Sequence, residues 1–209
     1  MPFRSNHWLQ ANIIVFIIVW VLLAIYPVSV FDWWMENILT LLTAVGLIIL
    51  YRYFRFSNLS YTFIILFLML QTFGAHYAYG VTPLDELMKH WFDFKRNHYD
   101  RVVHFMFGLL LGLPQLEVLI KAAGIRKIWA YLLTPWLLLG YSAIYEIGEM
   151  YVVFVAPKKK GETFLGAQGD IWDAQHDMEV TFYASIIAMI IIAIWVRRRK
   201  QKAVDHIDI

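Results

Sequence analysis

The chain has no cysteine among its 209 residues. Disulfide bonds, zinc–thiolate sites, iron–sulfur clusters and cysteine nucleophiles are therefore excluded. Charged residues are also scarce, because Asp, Glu, Lys and Arg make up only 16% of the chain, against about 25% in typical soluble proteins. The net charge of +2 gives little electrostatic support for binding nucleic acid, so we expect no nucleic-acid partner.

Apolar residues are abundant instead, with 60% of the chain hydrophobic and 17% aromatic. A soluble domain cannot cover that much apolar surface with so few charges, and a disordered chain would be poor in both classes. A helix needs roughly 20 mainly apolar residues to cross a bilayer. We therefore predict an all-α integral membrane protein, a bundle of about six transmembrane helices in a single membrane domain over residues 1–209.

The predicted spans cover about residues 8–30, 35–51, 59–79, 101–120, 128–154 and 178–196. Glu36 is expected at the very end of the second span. The first span is longer than the roughly 7–15-residue apolar core of a signal peptide, so we expect it to be retained.

The distribution of lysine and arginine predicts the orientation, because cytoplasmic loops of membrane proteins are rich in both. In a chain with six spans, the basic stretches at 52–55, 121–127 and 197–202 lie on one side together with Arg4. Both termini are therefore predicted to be cytoplasmic. The lysines at 158–160 are the one discordant cluster, and acids nearby offset them.

Ionisable side chains inside the predicted spans are few, and such residues are costly in a bilayer and commonly functional. Asp100 and His104 lie four residues apart at the start of the fourth span, with Arg101 between them. Glu146 and Glu149 lie three residues apart near the end of the fifth. Residues at these spacings share a helix face, so each pair is predicted to point to one side.

A further acidic stretch precedes the sixth span, and it contains Asp170, Asp173, His176 and Asp177. In the predicted topology this stretch, the two pairs above and His76 all lie near the external face. We therefore expect a carboxylate of Glu146 or Glu149 to lie within about 8 Å of His104 or Asp173, a distance that one bound ion or water can bridge.

So many acids in one layer require positive charge or protons. Arg101 can neutralise one carboxylate, burial can keep others protonated, and a divalent cation is the third solution. The predicted metal ligands are His104, Asp173, His176 and Asp177, the predicted catalytic residues are Glu146 and Glu149, and the predicted supporting residues are His76, Asp100, Arg101 and Asp170. Zinc, manganese, magnesium and calcium all suit such donors, and the choice among them stays open.

A structural role is the alternative for the same residues, since a buried polar network can hold three helices together without a ligand. The charged set Asp85, Glu86, Lys89, Asp93, Lys95 and Arg96 is expected to be solvated, in an external loop or a surface helix. Glu117 is expected to reach the inner interface and to be structural.

Three segments, His98–Phe105, Tyr145–Glu149 and Gly169–Asp177, resemble the YjdF-type bacterial inner-membrane proteins, a family of unknown function. The resemblance covers nearly the whole chain and implies a location in the bacterial inner membrane. The order of the motifs is also similar to that of the VanZ-like membrane proteins, which are associated with glycopeptide resistance. This chain departs from that pattern at Glu149 and Thr181, where a glutamine and an asparagine are expected.

Three functions are compatible with these features. The first is a metal-dependent membrane hydrolase acting on lipid or lipid-linked headgroups at the external leaflet, because headgroups lie at the depth of the predicted site. The second is a non-catalytic accessory protein of the envelope with a structural polar cluster. The third is a small-solute transporter, which would need polar groups across the whole membrane, and few lie in the cytoplasmic half. Membrane lipid is the expected partner, and the oligomeric state is not indicated.

Overall fold

The computed structural model describes residues 2–92, 94, 96–156 and 170–205, without the side chains of residues 200 and 202–205. All regular structure in these ranges is helical, which confirms the all-α prediction. The α-helices described are α1 (His7–Leu23), α2 (Val30–Leu50), α3 (Asn58–His76), α4 (Pro83–Phe92), α5 (Tyr99–Glu117), α6 (Lys127–Val155) and α7 (Asp173–Asp205). A single π-helical turn, Val118–Ala122, continues α5. The lysines at 158–160, Asp93 and Lys95 lie outside the described residues.

Five of the described helices, α2, α3, α5, α6 and α7, are long and apolar enough to cross a membrane. The shorter α1 has 17 residues, about 26 Å at roughly 1.5 Å per residue, against about 30 Å of bilayer hydrocarbon. It ends before the predicted boundary at 30, because Tyr26 has a positive φ of 51° and precedes Pro27, a position that disfavours helix. The protein is thus a multi-pass helical bundle, and the count of six spans stays a prediction.

Helix α2 begins at Val30, earlier than the predicted start at 35. The Ser29 hydroxyl accepts a hydrogen bond from the Asp32 N–H at 3.3 Å, which is the N-cap interaction that starts many helices. Asp32 and Glu36 therefore lie inside α2, and both are buried. The prediction that Glu36 sits at the very end of a span is wrong, because Glu36 lies in the second turn of α2.

Helices α3, α5 and α6 follow the predicted spans to within three residues, whereas α7 departs further. Helix α6 agrees with 128–154 to within one residue at each end, whereas α3 ends at His76, where Ala78 and Tyr79 take positive φ angles of 48° and 53°. Helix α7 begins at Asp173, earlier than the predicted start at 178, so Asp173 and Asp177 lie on one face of its first turns.

Helix α5 is capped from a distance by Asp85 in α4. Asp85 Oδ1 accepts hydrogen bonds from the N–H groups of His98 at 2.7 Å and Tyr99 at 2.9 Å, donors that the first turn of a helix leaves unsatisfied. Of the two alternatives for this region, an external loop and a surface helix, the helix is present. The solvated position predicted for Asp85 is wrong, because the residue is 1% exposed.

The centre of the bundle is the contact between α5 and α7, where small residues face each other. A Cβ atom on Gly108 would lie 2.2 Å from the carbonyl oxygen of Thr181, and one on Gly112 would lie 2.9 Å from the Cβ of Ala188. Glycine therefore permits a close approach of the two backbones, a packing mode that is common between membrane helices. Helix α5 also packs on α3 and α6, and α2 packs on α3.

One end of the bundle, which we call the polar end, contains the starts of α2, α5 and α7 and the ends of α3 and α6. Side-chain contacts join these helices there. Arg101 on α5 contacts Asp173 on α7 at 3.3 Å, and Tyr145 on α6 donates a hydrogen bond to Glu36 on α2 at 2.8 Å. These contacts link α5 with α7 and α6 with α2. The predicted site residues that lie in helices are on α5, α6 and α7, except for His76 on α3.

Candidate functional site

The outer part of the polar end is an ion cluster, which comprises Arg96, Arg101, Asp170, Asp173 and His176. Asp170 Oδ2 lies 2.8 Å from Arg96 Nη1 and 2.6 Å from Arg101 Nη2. Asp173 Oδ1 accepts hydrogen bonds from both guanidinium groups. Two arginines therefore face two aspartates, and this part of the site is close to neutral.

Asp170 precedes α7 and lies outside the membrane-spanning helices. The backbone N–H of Trp172, together with His176 and Arg101, holds the pKa of the Asp170 carboxyl down at about 2. Hydrogen bonds and nearby positive charge both favour the ionised form of a carboxyl. The sequence had placed Arg96 in a solvated set, and that prediction is wrong, because its guanidinium is a main component of the cluster.

Deeper in the bundle lies a carboxylate layer, which comprises Asp100, His104, Glu146, Glu149 and Asp177. His104 is 5% exposed, and its Nε2 lies 3.1 Å from Glu146 Oε1 and 3.7 Å from Asp100 Oδ1. The approach of Glu146 to His104 that the sequence predicted is therefore confirmed. The other ring nitrogen, Nδ1, lies 3.1 Å from the Ser142 hydroxyl, so both sides of the imidazole have polar neighbours.

The layer contains buried oxygens that lack hydrogen-bond donors. Glu146 Oε1 and Asp177 Oδ1 are both buried and accept no hydrogen bond in the structure, although His104 Nε2 is close to the first. Asp177 Oδ1 is 3.8 Å from the Nε of Arg101, and that N–H is also without a partner. Buried polar atoms are rarely left in this state, so these oxygens require a proton, a cation or a ligand donor.

The predicted metal ligands are divided between the two regions. Asp173 and His176 lie in the ion cluster, where they contact guanidinium groups, whereas His104 and Asp177 lie in the carboxylate layer. Within the described parts of the chain, no three His, Asp or Glu side chains are grouped as metal ligands. His76 is apart from both regions, because its Nδ1 bonds the carbonyl of Leu23 at 2.8 Å.

A second polar group adjoins the layer and was missed in the sequence. Glu36 Oε2 accepts hydrogen bonds from Gln71 Nε2 and from the Tyr145 hydroxyl, both at 2.8 Å. The Tyr79 hydroxyl in turn donates to Gln71 Oε1 at 2.6 Å. The helix-capping serine at 29, three residues before Asp32, was the signal that could have placed Glu36 inside the second span.

A cavity of about 600 Å³ connects these groups to the surface of the bundle. We call it the cleft. It lies between α2 and α6 and is floored by α3 and α5. Its walls are mainly apolar, and its polar lining at one end consists of Glu36, Gln71, Asp100, His104, Ser142, Tyr145 and Glu149. Leu42 and Ile144 at its edge are 65% and 67% exposed, so the cleft reaches the surface that faces lipid.

A family model described as "Predicted membrane protein (DUF2238)" matches residues 8–198. The chain belongs to this family. Inner membrane protein YjdF of Escherichia coli (strain K12) is 31% identical to the chain over 163 residues, which cover 77% of each protein. The resemblance to YjdF-type proteins is thus confirmed, and the more distant similarity to VanZ-like proteins stays a prediction. No solved structure matches the chain.

The range matched by the DUF2238 family includes both polar regions and all helices that line the cleft. In this DUF2238 protein the acids expected to form one site therefore form two regions with different charge balance. In the ion cluster each aspartate is paired with arginine. The carboxylate layer has a histidine but, among the residues lining the cleft, neither lysine nor arginine.

Proposed function

We propose that this protein is an enzyme of the bacterial inner membrane that acts on the headgroup of a lipid held in the cleft. The observation that carries the proposal is the form of the cleft, an apolar channel along transmembrane helices that ends at His104, Asp100 and Glu149. A lipid chain suits the apolar part, and the polar end lies where the adjoining headgroup would be. Ligand sites typically combine such apolar walls with a few convergent polar groups.

The chemistry that suits these residues is hydrolysis of an ester. Glu149, which lines the cleft, accepts a proton from a water molecule that attacks the carbonyl carbon. His104 gives a proton to the leaving oxygen as the carbon–oxygen bond breaks, and Glu146 and Asp100 flank its Nε2. Acid–base pairs of this kind contribute roughly 10²–10⁴-fold to a rate. Ser142 and Tyr145 contact the imidazole, and the Tyr145 hydroxyl donates a hydrogen bond to Glu36.

The experiment is turnover of lipids extracted from bacterial inner membranes, with the protein in nanodiscs and products identified by mass spectrometry. Glu149→Gln and His104→Gln should each abolish turnover while the protein stays folded. Glu179→Gln is the matched control, because Glu179 is an exposed acid on α7 whose contact is the Tyr183 hydroxyl. Wild-type protein that turns over no lipid in the extract would favour the accessory role instead.

A divalent cation in the layer is a second form of the same proposal, in which the enzyme is a metal-dependent hydrolase. It is supported by Glu146 Oε1 and Asp177 Oδ1, the buried oxygens without donors, and a bound cation would polarise the ester carbonyl. Elemental analysis of purified protein, before and after incubation with zinc or manganese, tests it beside His104→Ala. Stoichiometric metal that the variant loses would support this form, and absence of metal in wild type would leave metal-free acid–base chemistry.

The proposed orientation places the polar end at the external face, with both termini cytoplasmic. It is supported by the lysine and arginine distribution, and the inner-membrane location by the printed name of the YjdF relative. Reporter fusions after Arg55, Lys127 and Arg199 should score as cytoplasmic. A fusion after Glu86 should score as external, and the opposite result would move the site to the cytoplasmic leaflet.

A further inference from the structure

We propose that the cleft selects a lipid whose head carries a primary amine, with the ammonium group placed against Asp100, Glu149 and Glu36. The inference rests on the proposed function and deepens it, because it names the chemical class of the substrate. It follows from the charges that a headgroup would meet at the polar end of the cleft.

The first observation is the sign of those charges. Three acids and one histidine line the polar end of the cleft, and its described lining contains no lysine or arginine. The two nearest arginines, Arg96 and Arg101, are already bonded to Asp170 and Asp173. A phosphate or carboxylate head would therefore meet three acids, and the imidazole of His104 beside them already faces Glu146 and Asp100. Contacts between like charges are strongly unfavourable away from water.

The second observation is the shortage of hydrogen-bond donors in the layer. Glu36 Oε2 is satisfied by Gln71 and Tyr145, whereas Glu146 Oε1, on a residue that is 9% exposed, accepts no hydrogen bond and has His104 Nε2 as its polar neighbour at 3.1 Å. It lies beside His104, which lines the cleft. An ammonium group has three N–H donors and no acceptor, so it supplies both the charge and the hydrogen bonds that the layer lacks.

The third observation identifies the occupant as a lipid rather than a soluble amine. Below the acids the wall of the cleft is formed by Leu39, Phe67, Phe107 and Leu138, and it opens at Leu42 and Ile144 on the exposed surface of membrane-spanning helices. A ligand that enters there comes from the bilayer. The volume of about 600 Å³ is within the roughly 300–1,000 Å³ usual for small-molecule sites.

The test is competitive binding of three single-chain probes with the same alkyl chain, hexadecylamine, hexadecanol and hexadecyl phosphate. Full-length protein in detergent is incubated with equimolar probes at pH 7, and the bound probe is identified by native mass spectrometry. We expect the amine to be retained at least about tenfold over the phosphate, a ratio that corresponds to one unfavourable charge contact. Glu149→Gln should reduce this preference several-fold, and Glu179→Gln should leave it unchanged.

Equal or stronger retention of the phosphate, or equal retention of the alcohol and the amine, would overturn the inference. An unchanged preference in Glu149→Gln would overturn it as well. Should that variant fail to fold, Asp100→Asn tests the same point from α5. Because binding needs no turnover, amine selectivity without lipid hydrolysis would reject the proposed enzyme alone, and hydrolysis without amine selectivity would reject this inference alone.

Discussion

The ion cluster and the carboxylate layer are adjacent and contain similar residues, but their acids differ in how far they are paired with positive charge. In the cluster, each aspartate contacts two guanidinium groups, and the side chains of Asp170 and Arg101 are each 22% exposed. In the layer, His104, Glu146, Glu149 and Asp177 are buried and the Asp100 side chain is 30% exposed. One oxygen of Glu146 and one of Asp177 accept no hydrogen bond. Acids that are each paired with arginine are typical of structure, whereas buried acids without a full set of hydrogen-bond donors are typical of sites that bind something.

The difference assigns separate roles along the same two helices. Arg101 and Asp173 belong to the cluster and join the first turns of α5 and α7. His104 and Asp177 lie one turn further along each helix and belong to the layer. About one helical turn, three residues on α5 and four on α7, therefore separates the ion pairs from the candidate catalytic groups. Four changes to the protein would break or sharpen this distinction.

The largest effect is expected where both regions depend on the same helix contact. Gly108→Val would place a Cβ 2.2 Å from the carbonyl oxygen of Thr181 and force α5 and α7 apart. We expect a loss of about 3 kcal/mol or more, at the upper end of overpacking effects, measured by unfolding in mixed detergent. Gly140→Ala is the control, since no atom lies within 4 Å of the added Cβ. A Gly108 variant as stable as that control would contradict the packing described.

Next in size is removal of a cation from the cluster. Arg101→Met leaves Arg96 as the one arginine beside Asp170 and Asp173, with His176 still at 3.0 Å from Asp170. We expect a loss of about 2–3 kcal/mol, below the value of roughly 3–5 for fully buried pairs because these groups are partly exposed. Thermal unfolding in detergent measures it. Lys121→Met is the matched control at the opposite end, where a half-exposed lysine contacts Glu117 at 3.1 Å, and it should change stability by about 1 kcal/mol or less.

A matched pair of amide substitutions compares the regions directly. Asp173→Asn removes a charge that two arginines contact and should cost about 1–2 kcal/mol. Asp177→Asn removes a buried carboxylate whose Oδ1 has no donor, so stability should stay the same or rise by up to about 1 kcal/mol. The midpoints of thermal unfolding measure both. Equal destabilisation by the two changes would mean that the layer is as fully paired as the cluster.

The smallest effect is a pH dependence from Asp170. Its pKa is lowered from 3.8 to about 2 in the folded protein, so its stabilising contribution is complete above the unfolded value and is lost as the pH falls through the folded one. The unfolding temperature of wild type should therefore fall toward that of Asp170→Asn between pH 4 and pH 2, and stay parallel to it above that window. Curves that stay parallel throughout would show that Asp170 is not held ionised by its neighbours.

The sequence was sufficient for the fold class, because sixty per cent hydrophobic residues with little charge exclude the soluble alternatives. It was also sufficient for α6, whose apolar run has clear limits. It was insufficient for the start of α2, because the acids near that start, Asp32 and Glu36, indicate the end of an apolar span. The Ser29 cap and the burial of Glu36 against Gln71 and Tyr145 override that pattern.

The candidate site was predictable in part. Spacing along one helix placed Asp100 with His104 and Glu146 with Glu149, and the topology brought the two pairs together. The role of Arg96 was not predictable, because it lies in a charged stretch and contacts aspartates 74 and 77 residues away. Contacts at that separation depend on how helices pack, and local pattern contains no information about them. His76, which looked similar to His104, bonds a backbone carbonyl instead.

The contact between α5 and α7 has a consequence for biosynthesis. Helix α5 begins at Tyr99, but the helix that covers its glycines and faces Arg101 begins at Asp173, so the ribosome must add more than 70 residues before the partner exists. At about 5–20 residues per second, this takes roughly 4 to 15 seconds. During that time a half-finished chain contains a membrane helix whose polar face has no companion. A premature stop before α7 would leave that state permanent, and we expect such a product to be degraded rather than to persist as a smaller bundle.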